Sequence, residues 1–123
     1  GSWNVSNVVT VESMFASATA FNQDIGSWDV TSVEPGIYYT GSANQIYRGF
    51  KNMFSLATAF NQDISSWDVS NVIVFKAMFS GATAFNQDLS SWTPNTTESS
   101  LNAEFFATNT SSWTLPKPTW LPA

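Results

Sequence analysis

The chain has 123 residues, of which 43% are hydrophobic and 15% aromatic, and this composition suits one folded domain with a buried core. Nine acidic and four basic residues give a net charge of −5, so the chain lacks the basic surface with which proteins bind nucleic acid. Cysteine is absent, which excludes disulfides and thiol catalysis. Histidine is absent too, which excludes histidine as a catalytic base or a metal ligand. No apolar run approaches the roughly 20 residues of a membrane-spanning helix.

A unit of 25 residues recurs along the chain. Trp3 and Trp28 are 25 residues apart, and Trp67 and Trp92 have the same separation. The second half of the unit is nearly identical in its three copies, which are residues 21–30, 60–69 and 85–92. Each copy is too short to bury its own apolar face, so we expect the copies to stack on one another.

Two hydrophobic periodicities within each unit predict two different elements. Trp28 and Val30 flank Asp29, an alternation that places both apolar side chains on one face of a short strand. Residues 50–57 carry apolar side chains at the i, i+3, i+4, i+7 spacing of an amphipathic helix, and residues 11–18 and 75–82 repeat it. These elements predict an α/β repeat solenoid of the leucine-rich-repeat type, with short parallel strands on one face and short helices on the other. A parallel β-helix is the alternative fold.

Stacked copies would align identical side chains into rows. We expect the tryptophans and phenylalanines of the unit to pack inside as two aromatic rows, and the asparagines and aspartates of its F-N-Q-D string to form polar rows at a turn. The predicted rows are Trp3, Trp28, Trp67 and Trp92; Phe21, Phe60 and Phe85; Asn22, Asn61 and Asn86; and Asp24, Asp63 and Asp88. Neighbouring carboxylates repel, so the last row must be stabilised by backbone N–H groups, a calcium ion or a raised pKa.

An insertion at about residues 34–49 interrupts the stacked repeats that we assign to residues 1–92. It holds the only tyrosines of the chain, and Arg48 follows directly after the last of them; the tyrosines are Tyr38, Tyr39 and Tyr47. Because tyrosine and arginine are enriched in protein interfaces, these four residues are predicted to bind a partner. A loop that folds back onto its own repeats is the alternative.

The two ends of the chain differ. Residues 93–123 predict a degenerate last repeat and a C-terminal cap, in which Phe105 and Phe106 replace the Met-Phe pair of the unit and Trp113, Trp120 and Leu121 close the core. Trp3 stands near a repeat boundary without a polar cap, which indicates an upstream repeat, a partner chain or a truncation. Both ends of a solenoid are therefore candidates for self-association.

The string F-N-Q-D-I-S-S-W-D-V-S-N-V at residues 60–72, followed by the Met-Phe pair, resembles the 25-residue repeat of bacterial surface lipoproteins grouped with the BspA-like leucine-rich repeats. The resemblance covers about residues 3–92. It implies a cell-surface or secreted repeat protein that serves adhesion or partner binding, and it implies no shared catalytic site.

The outward face of the predicted strands carries Asn4, Asp29 and Asp68, which are predicted to bind a partner, although plain solubility would explain them too. An acid–base pair such as Asp24 with Asp29 is disfavoured, because every repeat copies the same acids. We therefore expect a non-enzymatic cell-surface or extracellular module for protein–protein interaction, adhesion or structural assembly, with no cofactor, metal or catalytic residue and no insertion into a membrane. A carbohydrate-binding module that uses tryptophans and the Asn and Asp rows, with a glycan as partner, is the alternative.

Overall fold

The structure, a computed structural model, describes residues 3–36, 48–94 and 103–121. Within these ranges no residue lies in an α-helix or an extended strand, and the backbone forms turns, bends and one isolated bridge residue, Val74. The α/β solenoid of the leucine-rich-repeat type is therefore wrong, because neither its helices nor its parallel strands are present in the described part. The alternative of a parallel β-helix is wrong for the same lack of strands.

The segments predicted as helices are runs of overlapping tight turns. In residues 11–18, the N–H groups of Met14, Ala16 and Ala18 each donate to the carbonyl three residues earlier at 3.0–3.1 Å. Hydrogen bonds to the carbonyl three residues earlier close single turns, whereas an α-helix requires bonds to the carbonyl four residues earlier. We name the equivalent stretches turn segments 1 to 4; they are residues 11–18, 50–57, 75–82 and 103–110.

Two residues of every turn segment have a left-handed backbone conformation. Their φ values lie between 54° and 75°, and they are Ser13 and Ser17, Asn52 and Leu56, Ala77 and Gly81, and Phe105 and Asn109. An α-helix has negative φ at every residue, so these positions bend the chain out of a helical path. In consequence, alternate N–H groups point along the stack instead of back into their own segment.

Those alternate N–H groups join each turn segment to the next. Ser13, Phe15 and Ser17 of segment 1 donate to carbonyls of segment 2 at 2.7–3.0 Å. Segment 2 donates in the same way to segment 3 at 2.8–3.0 Å, and segment 3 donates to segment 4 at 2.8–2.9 Å. The near-identical copies of the unit therefore lie on one another as coils of a stack.

The predicted strands are also turns. The Trp28 N–H donates to the Ile25 carbonyl, and the Val33 N–H donates to the Val30 carbonyl, both at 3.1 Å, so these residues are held within their own coil. The alternation of burial is nevertheless as predicted, since Trp28 and Val30 are buried and Asp29 is exposed. Alternation of apolar and polar residues thus predicts which side chains face the core, but it does not predict whether they lie in a strand or in a turn.

Three rows of aromatic rings form the core of the stack. The tryptophan row has ring centroids 6.4–6.5 Å apart, the first phenylalanine row 5.7 Å and the second 5.5 Å. The rows are Trp3, Trp28, Trp67 and Trp92; Phe21, Phe60 and Phe85; and Phe15, Phe54 and Phe79. The first two rows are confirmed, except that Trp3 is 70% exposed, and the third was not among the predicted rows.

The last coil continues the aromatic core in a register that differs from the predicted one. Trp113 packs edge-on against Phe85 at 4.8 Å and so extends the phenylalanine row. Trp120 packs against the core, and its Nε1 donates to the Trp92 carbonyl at 2.7 Å.

The predicted Met-Phe replacement is wrong by one residue. The carbonyl of Phe106 accepts from Phe79, as the carbonyl of Met78 accepts from Phe54 one coil earlier. Phe106 therefore occupies the methionine position and is buried, whereas Phe105 takes a left-handed position and is 57% exposed.

Candidate partner-binding face

The inserted tyrosines Tyr38, Tyr39 and Tyr47 lie outside the described residues. Arg48, the fourth predicted residue of the insertion, is described and half exposed, and its Nε lies 3.6 Å from the Glu34 carboxylate. The two described ends of the insertion are thus brought together by an ion pair whose Glu34 oxygen is buried.

The other three predicted residues, Asn4, Asp29 and Asp68, form a row that we call the polar row. Each directly follows an indole of the tryptophan row and is exposed, so the stacked coils place the three at equivalent positions on one side of the stack. Their regular placement follows from the aromatic rows beneath them, because each indole fixes the position of the residue after it.

Each member of the polar row is held by the residue two positions further on. The Oδ1 of Asn4 accepts from the Ser6 N–H and hydroxyl at 3.1 and 2.7 Å. Asp29 and Asp68 accept in the same way from Thr31 and Ser70, with N–H distances of 3.0 Å and hydroxyl distances of 2.5 and 2.6 Å. These are Asx turns, in which a short side chain closes a turn of its own backbone.

The same hydrogen bonds keep both aspartates ionised. The Thr31 hydroxyl, followed by the Thr31 backbone N–H, holds the pKa of Asp29 below its usual value. The Ser70 hydroxyl and then its N–H lower the pKa of Asp68, and the neighbouring charge of Asp29 opposes this only weakly. The polar row therefore presents fixed negative charges and oxygen acceptors to solvent.

The row of Asp24, Asp63 and Asp88 uses the same device. Asp63 and Asp88 each accept from a serine N–H at 2.9 Å and its hydroxyl at 2.6 Å, and Asp24 accepts from the Gly26 N–H at 3.0 Å. These donors lower the pKa of Asp63 and Asp88, the hydroxyl acting more strongly than the N–H. Among the described residues no group of three or more acidic side chains is arranged to hold a metal ion.

The predicted asparagine row is confirmed, and it joins the coils. The Asn22 Oδ1 accepts from the Asn61 N–H and the Gln62 Nε2, both at 2.9 Å. The Asn61 Oδ1 accepts in turn from the next asparagine N–H and glutamine Nε2, at 2.8 and 2.9 Å. This row is therefore structural, since its amide oxygens are used between coils.

A shallow groove of about 260 Å³, which was not predicted from the sequence, opens beside the polar row. It is lined by residues 65–70 and 91–93, so Asp68 and several serine hydroxyls contribute to its wall. Trp67 and Trp92 also line it but are only 4% and 1% exposed, so they present ring edges and no open face.

Comparison with known proteins assigns the chain to a family. No curated protein and no solved structure matches the chain. The described residues form no helix of the length and hydrophobicity that crossing a membrane requires. A family profile described as "Mycoplasma protein of unknown function, DUF285" matches residues 1–36 and 40–120. This match takes in the repeat copies and the last coil, and the chain therefore belongs to the DUF285 family.

Proposed function

We propose that the chain is a non-enzymatic, cell-surface or extracellular repeat module that binds a protein partner through the polar row, in the manner of the BspA-like surface repeat proteins that its repeat resembles. The observation that carries the proposal is the polar row itself: exposed oxygens at equal positions of successive coils, each fixed by two donors of its own turn. A fixed row of acceptors with negative charge suits a partner surface rich in Lys, Arg or backbone N–H groups.

Two features support a binding role over an enzymatic one. The lowered pKa of Asp29 and Asp68 keeps both ionised near neutral pH, which does not suit a general acid. The carboxylates are also repeated with the same hydrogen bonds in successive coils, as Asp63 and Asp88 show, whereas a catalytic site needs one distinct arrangement.

The carbohydrate-binding alternative has less support. Sugar rings stack on exposed aromatic faces, and Trp28, Trp67 and Trp92 are at most 7% exposed. The hydroxyl-lined groove beside Asp68 and the 70% exposed ring of Trp3 favour a glycan, so the experiment must distinguish the two ligand classes.

The test is adhesion of beads that carry the full chain to cultured epithelial cells. The D29N/D68N double variant should reduce bead adhesion at least several-fold, because it removes two charges of the polar row while keeping the turn acceptors. The D63N/D88N double variant is the matched control, since it makes the same change in the same kind of turn elsewhere.

Treatment of the cells identifies the ligand class. Adhesion that trypsin treatment of the cells removes and glycosidase treatment leaves intact supports a protein partner. Loss by glycosidase alone would replace the proposal with the carbohydrate alternative, and equal adhesion of both double variants and the parent chain would contradict a role for the polar row.

A further inference from the structure

The N-terminal end of the stack exposes a coil face with unused hydrogen-bonding groups. Trp67 and Trp92 donate from Nε1 to the carbonyls of Ile25 and Ile64 in the preceding coil, at 3.0 and 3.1 Å. The Trp28 Nε1 is equally buried but has no partner. A buried indole N–H without an acceptor is costly, so this group points to an acceptor supplied from beyond the face.

Backbone carbonyls of turn segment 1 also lack hydrogen-bond partners. Carbonyls at every other position of segments 2, 3 and 4 accept from the preceding segment. The equivalent carbonyls of Glu12, Met14 and Ala16 receive no hydrogen bond from any described residue. Apolar surface accompanies these groups, because Trp3 is 70% exposed and Met14 is 38% exposed.

The asparagine row ends at the same face. Asn61 and Gln62 donate to the Asn22 oxygen of the preceding coil, but the corresponding donors of the first coil, the Asn22 N–H and the Gln23 amide, have no acceptor among the described residues. These groups without partners are thus one side of the interface that forms three times between adjacent coils of the chain.

Charge restricts what completes this interface. Glu12, Lys51, Lys76 and Glu104 occupy one equivalent position in the four turn segments. The Lys51 Nζ lies 3.3 Å from the Glu12 carboxylate, and the Lys76 Nζ lies 3.5 Å from that of Glu104. A coil that covers segment 1 brings its residue equivalent to Lys51 next to Glu12. A basic residue at that position attracts the Glu12 carboxylate, and an acidic residue repels it.

A second copy of the chain fails this requirement. Its C-terminal coil would bring Glu104 next to Glu12, and it carries Thr114 where the preceding coil has Asn86, with three prolines following. That coil therefore offers neither the basic residue nor the amide oxygen that the face needs.

We infer that the N-terminal face binds a coil of this same repeat type that carries a basic residue at the position of Lys51 and an asparagine at that of Asn61. Such a coil supplies N–H donors to the Glu12, Met14 and Ala16 carbonyls. It also supplies an amide oxygen to Asn22 and Gln23, a carbonyl to the Trp28 Nε1 and a ring to cover Trp3. The face is distinct from the polar row, so the inference does not rest on the proposed function.

The test extends the full chain by one coil. A copy of residues 48–64 is placed directly before Gly1, which reproduces the spacing from Ile25 to Trp28 and adds no tryptophan. The Trp28 indole N–H signal in ¹H–¹⁵N NMR spectra should move downfield toward those of Trp67 and Trp92, the melting temperature should rise by several degrees, and iodide should quench Trp3 less.

A matched control carries the same extension with the copied Lys51 changed to Glu and the copied Asn61 changed to Thr. This control should give a smaller rise in melting temperature and leave the Trp28 signal near its original position. An unshifted Trp28 signal in the first extension, or equal effects of both extensions, would overturn the inference.

A second measurement does not depend on folding of the extension. The peptide of residues 48–66, titrated into the unmodified chain, should shift the Trp28 indole signal, and the peptide with the two control changes should not; equal shifts would overturn the inference. Sedimentation should show the unmodified chain as a monomer, and head-to-tail polymers would instead identify a second copy as the occupant.

Discussion

At the scale of single residues, the fold depends on positions whose backbone conformation most side chains avoid. Leu56, Ala77 and Phe105 have φ between 54° and 59°, where a side chain with a Cβ carries a cost of about 1 kcal/mol. The chain tolerates this cost because each such residue lies in a segment that is hydrogen-bonded to a neighbouring coil, as donor at Leu56 and Ala77 and through the carbonyls beside Phe105. The same positions explain why a helical pattern of side chains does not produce a helix here.

We expect Phe105→Gly to stabilise the protein by about 0.5–1 kcal/mol, because glycine adopts positive φ without a steric cost and the Phe105 ring is 57% exposed. Urea unfolding monitored by tryptophan fluorescence measures the change. Phe105→Ala is the control, since it removes the ring but keeps the backbone cost, and it should not stabilise. Equal stability of the two variants would contradict a strained backbone at this position.

The four aspartates with lowered pKa, Asp29, Asp63, Asp68 and Asp88, predict how stability depends on pH. A carboxyl whose pKa is lower in the folded state binds a proton more readily in the unfolded state. Its contribution to folding stability is therefore fully present above the pKa of the unfolded state, near 4, and is lost as pH falls through the pKa of the folded state. The melting temperature should therefore decrease between pH 5 and pH 2.

A single substitution tests whether the hydrogen bonds of the aspartate turns lower these pKa values. Ser65→Ala removes the hydroxyl donor of Asp63 and should raise the pKa of Asp63 toward its ordinary value in an NMR titration. The pKa of Asp88, which has its own serine, is the internal control. No change at Asp63 would show that the hydroxyl does not stabilise the carboxylate.

At the scale of elements, the sequence predicted burial well and backbone structure poorly. The apolar spacing of residues 50–57 correctly identified Phe50, Met53, Phe54 and Ala57 as core residues, each with no exposed surface. A run of overlapping turns places residues three and four apart on one side much as a helix does, so periodicity alone does not separate the two. The missing information was the direction of alternate N–H groups, which depends on the neighbouring coil.

The asparagine row gives a prediction at this scale. Asn61→Ala should destabilise the protein by about 1–2 kcal/mol, because the N–H of Asn86 and the side chain of Gln87 lose their shared acceptor. Asn61→Asp keeps an oxygen in the same place and should cost less. Chemical unfolding of both variants makes the comparison, and equal losses would contradict a role for the amide oxygen between coils.

At the scale of the whole molecule, the repeated indole identified the stacking of three coils but not the register of the fourth. Trp113 occupies the row of Phe60 and Phe85, because the last unit has a tryptophan where earlier units have phenylalanine. The polar row was predictable because Asn4, Asp29 and Asp68 follow the indoles directly. The groove was not, since it depends on how two coils approach each other.

Hydrogen bonds between coils join the turn segments, and no turn segment contains a helix. The most direct test is an NMR measurement of scalar couplings across hydrogen bonds in the uniformly labelled chain. We expect a coupling from the Phe54 amide nitrogen to the Met78 carbonyl carbon, 24 residues later in the sequence. A coupling from Phe54 to the Phe50 carbonyl, four residues earlier, would show a helix in residues 50–57 and contradict the stack of turn segments.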